Sequence, residues 1–161
     1  MKRGEKILLW LIGLLLTVAI ARLLLQKPDA RQGEIPFYST APHEVAQAAS
    51  DLYRKYHCRE CHSLWAVTDM LQNVPAPMLD GIGSLRSETW LYDYLSAPVP
   101  QVILPSRLKL EYRMPSYAGL PENERRLMAQ YLASLKVKDW YLEETKKAEY
   151  EKLTGRDYPS K

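Results

Sequence analysis

Residues 53–62 read Tyr53-Arg54-Lys55-Tyr56-His57-Cys58-Arg59-Glu60-Cys61-His62 and end in the pattern C-x-x-C-H. The chain has no other cysteines. A structural zinc site needs four ligands, and this pattern supplies two thiolates with no second pair elsewhere. A dithiol redox pair belongs at the start of a helix in a βαβ unit, and no strand pattern precedes this one. A disulfide would have no use for His62. The remaining reading uses all three residues. Two thiols three positions apart each form a thioether with one vinyl group of a haem, and the adjacent imidazole reaches the iron. The motif therefore predicts one covalently bound c-type haem held by Cys58, Cys61 and His62.

Working outward, the segment before the motif is helical. From Pro42-His43-Glu44 to about Tyr56, Ala46, Ala49, Leu52, Tyr53 and Tyr56 recur on one face. After the motif, residues 68–85 are loop-rich, with Pro75, Pro77, Gly81 and Gly83. Ser87 is placed to cap a short helix through Trp90, Leu91, Tyr94 and Leu95 that stops before Pro98. Residues 97–119 hold four prolines and read as an irregular loop. Pro121 suits the first position of a last helix. The apolar face of that helix is Leu127, Met128, Tyr131, Leu132 and Leu135. No run alternates convincingly as a strand, so the expected class is all-α.

In this order the chain resembles the class I cytochrome c family over residues 45–136. Three pieces carry the resemblance. The first is the helix entering the haem motif. The second is Ala76-Pro77-Met78-Leu79-Asp80-Gly81-Ile82-Gly83, similar to the family's proline-x-leucine-x-glycine loop. The third is Met114-Pro115-Ser116-Tyr117-Ala118-Gly119-Leu120, followed by the final helix. The resemblance implies His62 and Met114 as axial ligands of the iron. It also implies that the Pro77 carbonyl accepts the free imidazole N–H and that Leu79 packs on the porphyrin. Trp90 is either a donor to a haem propionate or plain core. The residues themselves agree on Met114. Met1 lies at the start of the chain, Met70 and Met78 are close to the haem motif, and Met128 sits on the apolar face of the last helix. Met114 stands in a proline-bounded loop 52 residues after His62. A neutral thioether at the iron raises the potential relative to two imidazoles, and a filled sixth position speaks against a peroxidase or a gas sensor.

The N-terminal run Ile7 to Leu25 is apolar except for Arg22. As a helix it spans roughly 28 Å, about a bilayer core. Lys2, Arg3 and Lys6 with Ala19-Ile20-Ala21 also fit a cleaved signal peptide. Leu23, Leu24 and Leu25 extend the run beyond that site and favour a retained anchor over residues 1–25. The charge balance around the helix does not orient it. Haem attachment takes place outside the bacterial cytoplasmic membrane, which puts the N-terminus in the cytoplasm and the haem domain in the periplasm. Residues 26–44 read as an extended stalk, and 137–161 as a charged, aromatic tail that is ordered only against another subunit.

The formal net charge of +3 lies entirely in the first 25 residues; the rest is balanced, with 18 cations and 18 anions. A nucleic-acid surface, which needs a one-sided basic field, is not indicated. Arg107, Lys109 and Arg113 form a local basic run opposed by Glu111. It is either a solvated loop or a docking surface for an acidic partner. The anchor, stalk and tail point to a single-haem subunit of a quinol-oxidising or terminal oxidase complex, an electron carrier and not an enzyme by itself. Its partners would be the membrane, the other subunits and redox proteins. The alternative is a free-standing anchored cytochrome that shuttles between complexes.

Overall fold

A computed structural model describes residues 3–25, 34–65, 74 and 76–159. The chain is mostly helical and forms two compact units, Met1–Glu34 and Ile35–Lys161. Residues 26–33 of the predicted stalk, together with Met1 and Met70, lie outside the described residues.

The first unit contains one helix, α1 (Arg3–Leu25). Its stretch Gly4–Arg22 is long and apolar enough to cross a membrane. Leu8, Trp10, Leu15 and Leu16 are all exposed on it.

The second unit begins with β1 (Phe37–Ser39), then α2 (His43–Lys55). Next come a 3₁₀ turn at Cys58–Glu60, α3 (Ile82–Leu85) and α4 (Glu88–Ser96). After an irregular stretch with short 3₁₀ turns follow α5 (Glu122–Ser134), β2 (Leu135–Val137) and α6 (Leu142–Thr154). The expected helices before the motif, after Ser87 and after Pro121 are all present. Ser87 Oγ accepts the Trp90 backbone N–H at 3.2 Å, which satisfies one orphan donor of α4. Pro121 lies one position before α5 and not on its first turn; its carbonyl accepts the Glu124 and Arg125 N–H groups at 3.1 Å.

Helix α5 is the hub, packed against α2, α3 and α4. Its buried Met128, Ala129, Tyr131 and Leu132 join Ala49 and Tyr53 of α2, Ile82 of α3, and Leu91 and Leu95 of α4. The fully buried Ala49 and Ala129 keep the packed helices close. Gly83 is required where α3 meets α5: a Cβ there would run into the backbone carbonyl of Ala133.

Two features depart from the sequence expectations. First, β1 and β2 pair antiparallel, with Phe37 opposite Val137, Tyr38 opposite Lys136 and Ser39 opposite Leu135. Residues from Ile35 onward, assigned to the stalk, are thus part of the helical unit, and Lys138 N donates to Pro36 O at 2.8 Å to extend the ladder. Strands of three residues are too short for a period of two to show. Second, the tail is folded on its own domain. Tyr141 meets Phe37 edge-on with centroids 5.7 Å apart. Glu149 pairs with Arg86 at 3.0 Å, and Arg107 Nε donates to the Lys152 carbonyl at 3.1 Å. The sparse apolar content of α6 does not prevent docking, because ion pairs, aromatic edges and side-chain stems fasten it instead.

Candidate functional site

Helix α2 ends at Tyr56, and the chain turns through His57, whose φ of 58° is left-handed. A non-glycine residue in that region is uncommon. Here it reverses the chain so that Cys58–Glu60 forms a tight turn, and His57 Nδ1 lies 2.8 Å from Glu60 Oε1 across it. The His62 N–H then donates to the Cys58 carbonyl at 2.9 Å. The motif is thereby wound into one turn with both cysteines and His62 at the edge of the same cavity.

His62 is held by one hydrogen bond at its imidazole and another at its backbone carbonyl. Nδ1 lies 2.8 Å from the Pro77 carbonyl oxygen. A carbonyl only accepts, so Nδ1 carries the proton and Nε2 keeps its lone pair. Burial lowers the His62 pKa, partly opposed by the bond to Pro77, so the neutral, ligating form is favoured. Behind it, the buried Tyr53 hydroxyl donates to the His62 carbonyl at 2.6 Å. The Leu79 N–H donates to the Ser63 carbonyl at 3.0 Å, and the Trp65 N–H donates to the buried Asp80 at 2.6 Å. These bonds sew the loop after Pro77 to the motif.

The cavity is partly open to solvent, and its lining is mostly apolar. All seven residues expected from the sequence line it: Cys58, Cys61, His62, Pro77, Leu79, Trp90 and Met114. Met114 is half-buried against the core, and the Gln101 side-chain amide donates to its carbonyl at 2.9 Å. Met128, by contrast, is 6% exposed within the helical core, although its side chain also borders the cavity. Trp90 is both core and wall: it packs on the core cluster, stacks on Tyr94 at 5.1 Å and has Arg86 over its ring at 5.0 Å.

Sequence reasoning missed the third wall. Arg86, Glu149, Lys152 and Leu153 close the cavity from the side of α6. A partial signal for it existed in Gly155, which ends α6 in a left-handed C-cap, its N–H on the Glu151 carbonyl at 2.9 Å, the standard glycine stop of a genuine helix. The basic run is partly internal as well, since Arg113 Nε donates to the Leu108 carbonyl at 2.8 Å and Arg107 reaches α6.

The cysteines form no disulfide. Burial pushes the Cys58 thiol up to about 11 and raises Cys61 as well, the reverse of the depressed pKa of a nucleophilic dithiol. Among the described residues no three His, Cys, Asp or Glu side chains form a metal-binding group. Cys58, Cys61 and His62 thus line one cavity without forming such a group. Two thiols, an imidazole and the Met114 thioether in a mostly apolar lining are side chains that could hold a haem. Comparisons with protein-family models, with curated proteins and with solved structures find no match for this chain.

Proposed function

We propose that the chain is a membrane-anchored, single-haem c-type electron carrier. The observation that carries this reading is the His62 geometry: in a C-x-x-C-H turn, Nδ1–H is committed to the Pro77 carbonyl, which leaves Nε2 available toward a cavity that both cysteines and Met114 also line.

When bound, the haem supplies a one-electron iron(III)/iron(II) couple. The chain's residues do the rest. Cys58 and Cys61 would hold the group through thioethers, and His62, oriented by Pro77, together with Met114 would ligate its iron. Leu79, Trp90, Leu91 and Leu95 would exclude water from the site, which would favour the reduced state. Helix α1 spans the cytoplasmic membrane, with the N-terminus inside and Ile35–Lys161 outside, where haem attachment takes place.

The carrier works as a subunit of a quinol-oxidising or terminal oxidase complex, the free-standing shuttle being the alternative. Support for a docked subunit no longer comes from the tail, which packs internally. It comes from the exposed apolar side chains Val102 and Leu110, on the loop that leads to Met114 and also carries Lys109 and Arg113. Protein expressed in a host able to mature c-type haem should keep its red colour on a denaturing gel and weigh one haem more than the chain. Cys58→Ala with Cys61→Ala should abolish both. A colourless wild-type protein would overturn the reading, and purification in mild detergent without partners would favour the shuttle.

A further inference from the structure

Glu149 is the one carboxylate among the described residues that lines the cavity. Its side chain is 15% exposed and its oxygens lie 3.0 and 3.1 Å from the Arg86 guanidinium. We propose that Glu149 binds a proton when the site is reduced and releases it on oxidation, so that the chain couples electron transfer to proton transfer. This rests on the haem reading above.

Burial favours the neutral carboxylic acid, while Arg86 favours the carboxylate. Burial is the larger influence, and the Glu149 pKa lies above the ordinary carboxylate value. A carboxylate held between opposed influences responds to a third. Reduction removes one positive charge from the cavity, and in a poorly hydrated site that change acts over longer distances than in water. The carboxylate then loses stabilisation and its proton affinity rises. The balance closes simply: one electron enters from the one-electron donor that the proposed function already requires, and one proton enters from solvent at a Glu149 oxygen. On oxidation both leave.

The other ionisable groups on this wall do not take the role. Arg86, Arg107 and Lys152 are basic side chains with no carboxylate to protonate. Burial raises the Tyr94 pKa above its ordinary value, so its hydroxyl keeps its proton. His57 lies beside the cysteine turn, exposed and against Glu60. Arg86 is itself tied to the site through the Trp90 face, so the Glu149 charge is transmitted to the cavity by a fixed partner.

The test is the midpoint potential of the intact, haem-loaded chain in detergent, measured across a pH series for wild type, Glu149→Gln and Glu144→Gln, the last an exposed glutamate on the same helix. The wild-type potential should fall as pH rises through the interval in which Glu149 titrates. The limit is about 59 mV for each tenfold change in proton concentration. Glu149→Gln should be flat there, and Glu144→Gln should keep the wild-type slope. A flat wild type overturns the proposal. A Glu149→Gln variant with an unchanged slope overturns it too, and places the proton on the haem's own carboxylates. Should Glu149→Gln fail to load haem, a redox-difference infrared spectrum of wild type with and without carbon-13 glutamate decides. A glutamic acid C=O signal must appear on reduction, and its absence overturns the proposal. If the protein carries no haem at all, the functional reading fails first, and that outcome is visible before any titration.

Discussion

Tyr53 shows how much one side chain does behind the site. It is 7% exposed, its ring belongs to the helical core, and its hydroxyl donates to the His62 carbonyl. Tyr53→Phe keeps the packing and deletes the bond, so it should cost about 0.5–1.5 kcal/mol in stability; chemical denaturation of the two proteins measures the difference. The methionines separate more sharply. If Met114 ligates the iron, Met114→Ala should abolish the near-infrared sulfur-to-iron band of the oxidised protein and lower the potential. Met128→Ala should leave the band and instead cost about 2–5 kcal/mol as a core truncation. The reverse pattern would reassign the ligand. At this scale the sequence was informative, because the C-x-x-C-H turn, the Pro77 acceptor and the Met114-Pro115 step are local patterns whose chemistry depends on neighbours in the chain. Arg86 and Glu149 were not legible. They lie 63 positions apart, and each by itself reads as an ordinary surface charge.

Among the elements, α2 and α5 are clamped where α2 gives way to the motif. Lys55 Nζ lies 3.0 and 3.1 Å from the two Glu124 oxygens, and the Tyr56 hydroxyl donates to the same carboxylate. The Tyr56 and Lys55 hydrogen bonds hold the Glu124 pKa below its usual 4.5. A carboxylate depressed in the folded state stabilises the fold above its unfolded pKa, and that contribution is lost as pH falls through the folded one. Glu124→Gln should therefore flatten the loss of stability on acidification below about pH 4.5, followed by thermal melts at several pH values. Because its partner Lys55 is exposed, the effect should be small and weakened by salt. The junction of α3 with α5 is less forgiving. Gly83→Ala sets a methyl against the Ala133 backbone, which cannot rotate away. It should destabilise by about 1–3 kcal/mol or more, read as a lowered denaturation midpoint. The helices themselves were legible from periodicity and from Ser87 and Pro121. The β1–β2 pair was not, since its register is set by contacts nearly a hundred residues apart.

For the whole molecule, the two ends of the chain make opposite predictions. Helix α1 forms a unit of its own, so removing residues 1–25 should release the protein from membranes with its haem spectrum unchanged. The C-terminal end was expected to be ordered only against a partner, whereas it packs within its own unit through Tyr141, Glu149 and Lys152. Deleting residues 138–161 removes Glu149, Lys152 and Leu153 from the cavity wall and leaves Arg86, 23% exposed, without its carboxylate. It also uncovers Val137, now 4% exposed, and takes Tyr141 off Phe37. The lost charged hydrogen bonding alone is worth about 1.5–3 kcal/mol, and the uncovered apolar surface adds to it. The truncated protein should melt at a lower temperature. Its iron should also be more open to water, which lowers the potential, because a wetter site favours the oxidised, more charged state. Measuring melting temperature and potential on one truncated sample separates the cases. If both fall, α6 belongs to the cytochrome domain. If both stay at wild-type values, the wall that α6 forms contributes nothing to the site, and the tail is free to serve a partner instead.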